Sequence, residues 1–287
     1  AVGFALGGSL SFNPVNSELT TADDKNFVLK PPDPAPDIPS NGFVGQRFGY
    51  GDPASDPSTV TVAIDPASER LEVLEAFAPR KPDQFTSMPV LLKAVGQCTT
   101  DAISPAGRWL QYRGHLTNIS DNMFLGARNA FGEETGTGFN VETGEDDEPL
   151  AEIAKYYTNS GITWVAVGDQ NYGEGSSREH AAMSPRHTGG GAIIVRSFAR
   201  IHESNLKKQG VLPLTFDDPS DFDSIQIDDR ITLANIERLT PKQPITATVE
   251  HSDGSRETIV LRHTLNAEQI RWFWAGSALN LIRAHTA

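Results

Sequence analysis

The run Ile162-Thr163-Trp164-Val165-Ala166-Val167 is almost wholly apolar, too short for an ordinary helix, and is followed by Gly168-Asp169-Gln170-Asn171-Tyr172-Gly173-Glu174-Gly175-Ser176-Ser177-Arg178-Glu179-His180. A strand buried on both faces reads as such a run, and glycines after it let the chain turn tightly. An alanine-containing segment comes next, so the pattern predicts strand, glycine-bent loop and helix N-terminus. Ser176 and Glu179 have the spacing of a capping box, which leaves free N–H groups and the positive end of a helix dipole around Ser176, Ser177 and Arg178. Such a place suits an anion. The pattern leaves two readings of Ser176 open: a plain helix cap, or a hydroxyl whose alkoxide is stabilised by free N–H groups and a guanidinium.

The same grammar recurs. Gly189-Gly190-Gly191 introduces a buried-looking strand at 192–195, a helix is predicted over 197–209 with Gly210 ending it, and 211–216 is a further strand. Strands alternating with helices imply a parallel α/β unit. A strand at 90–95 leads into the loop Gly96-Gln97-Cys98-Thr99-Thr100-Asp101, and short strands are expected at 60–64 and 71–74. Residues 116–126 read as irregular or helical, 132–148 as an acidic solvated loop, and 150–157 as a helix closed by Gly161. Beyond 230 come strand candidates at 231–233, 245–249 and 258–261, the last two joined by an Asp253-Gly254 hairpin turn. A single long helix is predicted over 267–284, with Ile270, Phe273, Trp274, Leu281 and Ile282 facing the core.

Residues 1–58 differ. Their proline run, 31–39, lacks backbone donors and favours extended chain, so this part is expected to be a linker arm, with Phe12, Phe27, Phe43 and Phe48 as anchors. The domain is then 59–287. The formal net charge of −13 opposes attraction to nucleic acid or anionic lipid. No apolar run approaches the roughly 20 residues of a membrane span, and the first residues lack the basic start of a signal peptide. A soluble compartment is expected. Cys98 is the single cysteine, so this chain completes neither an intrachain disulfide nor a cysteine-based metal site; it is a small buried side chain or a reactive thiol. The histidines show no metal spacing, and Pro185 is expected to interrupt any helix face shared by His180 and His187. Arg113 is either a surface arginine or a carboxylate anchor, and Asp101 a turn former or an orienting group.

The blocks Gly173-Glu174-Gly175-Ser176-Ser177-Arg178-Glu179-His180-Ala181-Ala182, Ser197 through Gly210, Cys98-Thr99-Thr100-Asp101, Arg113-Gly114-His115-Leu116 and Ala275-Gly276-Ser277-Ala278-Leu279-Asn280 resemble, in order, the C-terminal swivel domain of mitochondrial-type aconitases. The resemblance implies an α/β fold, a β/β/α swivel domain behind the proline- and glycine-rich arm, closing over a [4Fe–4S] cluster held by three preceding domains. It implies that Ser176 is the base that takes a proton from the substrate carbon, that Arg113, Ser177 and Arg178 bind substrate carboxylate, and that Thr100, Asp101 and Ser104 support them. The implied reaction interconverts citrate and isocitrate through cis-aconitate, with an open-site iron as Lewis acid, in the mitochondrial matrix. No cluster ligand is expected in this chain, which is expected to be inactive alone. Ala102 and Gly191 depart from the family pattern, where histidine and arginine are common. They leave room for a homocitrate or homoaconitate hydratase; a non-catalytic, RNA-binding iron-regulatory relative is disfavoured by the negative charge.

Overall fold

The computed structural model describes residues 2–43 and 51–286, in two compact units, Ala1–Thr61 and Val62–Ala287. The first holds a short helix α1 (Val2–Gly7) and a hairpin of β1 (Glu18–Thr20) with β2 (Asn26–Val28). Gly7 lies against Phe12, whose ring would be 2.4 Å from a Cβ there. The expected arm therefore contains a small element of its own, while 31–39 carries neither helix nor strand. Phe27 and Phe43 are exposed rather than anchored, and Phe48 lies outside the described residues.

The second unit runs through β3 (Met88–Lys93), α2 (Thr100–Ile103), α3 (Leu116–Ile119), β4 (Thr137–Gly138), β5 (Glu148–Pro149), α4 (Leu150–Asn159), β6 (Trp164–Gly168), α5 (His180–His187), β7 (Gly190–Val195) and α6 (Arg200–Lys208). It continues with β8 (Leu212–Phe216), α7 (Asp221–Ser224), β9 (Arg230–Leu233), β10 (Ile245–Glu250), β11 (Arg256–Arg262), α8 (Ala267–Ala275) and α9 (Ala278–Thr286). Its main sheet closes into a barrel in the order β10-β11-β8-β7-β6-β3-β9. Strands β3, β6, β7 and β8 are parallel neighbours, and β9, β10 and β11 complete the circuit antiparallel. The predicted parallel α/β unit is thus one half of a mixed barrel.

Both faces of the parallel strands are covered, which is why their sequences read as unbroken apolar runs. Val165, Val167, Ala192 and Ile194 point into the barrel with Leu212 and Leu214. Their alternates Trp164, Ala166, Ile193 and Val195 pack outward against Ile153 and Tyr157 of α4, Ala181 of α5 and Leu206 of α6. Each buried Val, Leu or Ile among them contributes about 1.5–3 kcal/mol.

Two buried arginines hold the segment ahead of β3 in place. Arg80 donates from Nε to the Gly210 carbonyl at 3.0 Å and from Nη2 to that of Gly190 at 2.6 Å. Arg186 donates to the carbonyls of Gly276, at 3.3 Å, and Ala78, at 2.6 Å, with its guanidinium 4.8 Å from the Phe77 ring centre. Gly210 and Gly276 lie just past α6 and α8, so the cations sit at the negative ends of helix dipoles. Burial, with the neighbouring Arg186 charge, pushes Arg80 well below the ordinary arginine range.

Several segments depart from expectation. Residues 60–64 and 71–74 are not strands, apart from one bridge between Leu71 and Gly114. Val62, Val73 and Leu74 are exposed, and a barrel closed by its own strands offers them no edge. The long terminal helix breaks at Gly276, whose φ of 95° ends α8 and lets its backbone lie against Ala78; Ile282 is consequently 57% exposed instead of buried. The helix expected from 197 begins at Arg200, because Phe198 pairs with Tyr172 as a parallel bridge. The 132–148 stretch is partly ordered: β4 pairs with β5, Asn140 is buried and donates to Glu148 at 3.1 Å, and the Tyr157 hydroxyl accepts from the Val141 amide.

A Cβ on Gly276 would lie 2.4 Å from the Ala78 carbonyl oxygen in a left-handed backbone. Gly276→Ala is expected to cost about 2–4 kcal/mol of stability through strain and displacement of the clasp, read as a lowered urea midpoint with an unchanged slope.

Candidate active site

Three loops leave the same ends of β3, β6 and β7, and main-chain hydrogen bonds keep them together past the strands. The Ala94 amide donates to the Val167 carbonyl at 2.8 Å, that of Gly173 to Cys98 at 2.8 Å, and that of Thr100 to Glu174 at 2.8 Å. On the other side Tyr172 donates to Ser197 at 2.9 Å and Ala199 to Tyr172 at 2.9 Å. Arg196 fastens the base of this assembly by pairing with both Asp169 and Asp223.

Between these anchored flanks the chain from Gly173 to Arg178 projects, with Gly173 at φ 80° and Gly175 at φ 110°. Ser176 and Ser177 are exposed at its tip. The expected capping box is absent. Helix α5 begins at His180 with Glu179 already in helical conformation and making no side-chain cap, and the Arg178 amide instead folds back to the Ser176 carbonyl at 2.8 Å. Among the described residues the amides of Gly175, Ser176 and Ser177 donate to no protein acceptor, and consecutive free amides attract an anion as a helix end does.

Arg178 is held from behind. Its Nη1 donates to the Asp101 carboxylate and, at 3.0 Å, to the Ser104 carbonyl, so Nε and Nη2 remain for a planar bidentate partner. Asp101 also accepts from the Ala106 amide at 3.2 Å, and the Arg178 hydrogen bond pulls its carboxyl below the ordinary aspartate range. Ser104 acts through its main chain; its buried hydroxyl donates to Asn122 at 3.2 Å. Thr100 is buried beneath the loop, its hydroxyl 3.3 Å from where a Gly175 Cβ would be. Arg113 is exposed, and its carbonyl lies 3.1 Å from Nε2 of His180, two residues beyond Arg178. Its guanidinium has no protein partner among the described residues. A cleft of about 540 Å³ lies against this loop, lined by Thr100, Gly175, Ser176, Ser177, Ile201 and His202.

Pro185 sits inside α5 without interrupting it, since it forfeits one hydrogen bond near the end of a short helix. His180 and His187 nonetheless have different partners, the Arg113 carbonyl and the Thr117 hydroxyl. Cys98 is a core residue, 3% exposed, with burial pushing its thiol to about 12 against a hydrogen bond with Tyr172. An iron–sulfur cluster needs thiolates, so this thiol does not fit one. Sequence reasoning gave no role to Tyr172 and His202, which lie under the loop; the glycine at 173, required by the closeness of the His202 ring, was the available signal. Gly191 also has a steric reason: a Cβ there would meet Thr163 at 2.5 Å and Met88 at 3.2 Å, leaving no room for an arginine.

Residues 88–219, which carry β3 through β8 and every loop of this site except its Arg80 clasp, match the aconitase C-terminal domain. That stretch, a little under half of the chain, carries the aconitase C-terminal domain. It is 50% identical over 279 residues to the mitochondrial aconitate hydratase of Gracilaria gracilis, covering 97% of this chain and 36% of that protein. It is 49% identical over 281 residues to that of Saccharomyces cerevisiae, with 98% and 36% covered. The chain thus spans about a third of the length of the curated relatives it matches. A solved 3-isopropylmalate dehydratase from Methanocaldococcus jannaschii aligns with 70% of this chain and 95% of its own at 18% identity and a TM-score of 0.42. No helix among the described residues is long and apolar enough to cross a membrane.

Because the folded-state carboxyl of Asp101 titrates below its ordinary range, the Arg178 pairing is present above that range and is lost only as pH falls through the lowered value. An NMR titration of the Asp101 carboxyl carbon is expected to give a midpoint below that of a free aspartate, and Arg178→Gln to return it to the ordinary range.

Proposed function

We propose that this chain is the swivel-domain part of an aconitate hydratase, a hydro-lyase that interconverts citrate and isocitrate through cis-aconitate. The observation that carries the reading is the placement of an exposed serine among free amides, beside an arginine whose rear edge is already occupied by Asp101 and the Ser104 carbonyl. A tricarboxylate is the ligand such a site suits.

In this reading Ser176 removes the proton from the substrate carbon, and the free amides of residues 175–177 with Arg178 stabilise its alkoxide. Arg178 presents Nε and Nη2 to a substrate carboxylate, and Asp101 fixes the plane of that fork. Arg113 and Ser177 hold further carboxylate oxygens, and Thr100 supports the loop from below. A [4Fe–4S] cluster belongs to the remaining domains of the enzyme, which are this chain's partners; the buried, protonated Cys98 and the other described residues offer it no site. The names of the relatives say mitochondrial, and within that compartment we place the enzyme in the matrix.

In the complete enzyme Ser176→Ala is expected to lower kcat by about 10²–10⁴-fold with little change in KM, as for loss of a proton-transferring group. Arg178→Lys, which loses the planar fork, is expected to raise KM as well; unchanged turnover in Ser176→Ala would refute the assignment. Residues 1–287 purified alone are expected to hydrate no cis-aconitate in a spectrophotometric assay, and to gain activity only with the cluster-bearing part; turnover by the chain alone would overturn the division of labour.

A further inference from the structure

His202, the third residue of α6, is 1% exposed, and neither ring nitrogen has a hydrogen-bond partner in the protein. Its ring lies 5.5 Å from that of Tyr172, and a Cβ on Gly173 would be 2.2 Å from its Cγ and Cδ2. The imidazole is therefore the floor on which Gly173 rests. Burial drives its titration down to about 4, so the ring is neutral, with one N–H donor and one lone pair. An apolar ring would fill the same space without the cost of burying an unpaired donor and acceptor. Native proteins keep few such groups. The glycine resting on the ring begins a stretch with spare acceptors: among the described residues the carbonyls of Gly173 and Gly175 take no main-chain donor.

We propose that His202 is a positioning residue for the Ser176 loop, its ring N–H gaining a carbonyl of the Gly173–Ser176 main chain when a carboxylate occupies the site. The unpaired ring is the resting state, and the hydrogen bond made on occupancy sets the height of Ser176. This rests on the catalytic reading of Ser176 above.

The test uses the complete enzyme. His202→Phe keeps a ring and removes the nitrogens. Its melting temperature without substrate is expected to equal or exceed that of wild type, while kcat/KM falls about tenfold, as for one hydrogen bond of ~1.4 kcal/mol lost from the occupied site. His202→Asn, which retains an N–H, recovers part of that loss. In wild-type enzyme labelled with 15N-histidine, saturating citrate is expected to shift the His202 ring N–H, a measurement that needs no variant. An unmoved resonance, or wild-type kcat/KM in His202→Phe, would overturn the proposal. If Ser176→Ala still abolishes turnover, only the role of His202 fails; if Ser176→Ala is fully active, the catalytic reading itself fails.

Discussion

Everything at the candidate site depends on main-chain pairing that continues after the strands have ended. The bonds from Gly173 to Cys98, from Thr100 to Glu174 and between Tyr172 and residues 197–199 turn three separate connections into one supported ledge. Loops in general are mobile because their backbone groups are satisfied by water. Here those groups are satisfied by neighbouring loops on both sides, and only the glycine-flanked tip with Ser176 and Ser177 is released. Asp101 and Arg178 then belong to two different loops, and their ion pair has a defined geometry because the pairing beneath it is fixed.

Much of this was legible in the residues, for a physical reason. Burial of both sheet faces erases the alternation of a half-exposed strand, so 162–167 and 192–195 announce parallel strands, and the glycine-rich exits announce loops. The barrel's closure was not legible, because pairing β3 with β9 joins residues far apart in sequence and leaves no local mark. The segments 60–64 and 71–74 have strand-like composition yet find no free edge. Residues 267–284 look like one helix until Gly276 is seen against the Ala78 carbonyl, a contact that no helical period can reveal.

The candidate residues lie near one another, but the local geometry expected for them was wrong. Ser176, Ser177, Arg178, Asp101 and Thr100 do come together, and the main-chain carbonyl of Arg113 meets the His180 ring. Ser176 and Glu179 nevertheless do not cap a helix, since the fold-back of Arg178 delays α5. Positive potential at the loop comes instead from unpaired amides and a guanidinium. Ser104, expected only as a supporting position, contributes its carbonyl, and Cys98, placed in the loop by sequence, turns its thiol into the core.

The clasp of Arg80 and Arg186 bears on what the smallest folding piece of this protein is. The stretch 88–219 that carries the family match begins after Arg80 and ends before β9. Cut there, β3 and β8 would become bare sheet edges, an invitation to self-association. The carbonyls of Gly190 and Gly210 would lose their cation and Arg186 the Ala78 and Gly276 carbonyls. The evolutionary signature of the domain is thus narrower than its mechanical boundary, which runs from the strap before β3 to the broken helix at the end of the described chain.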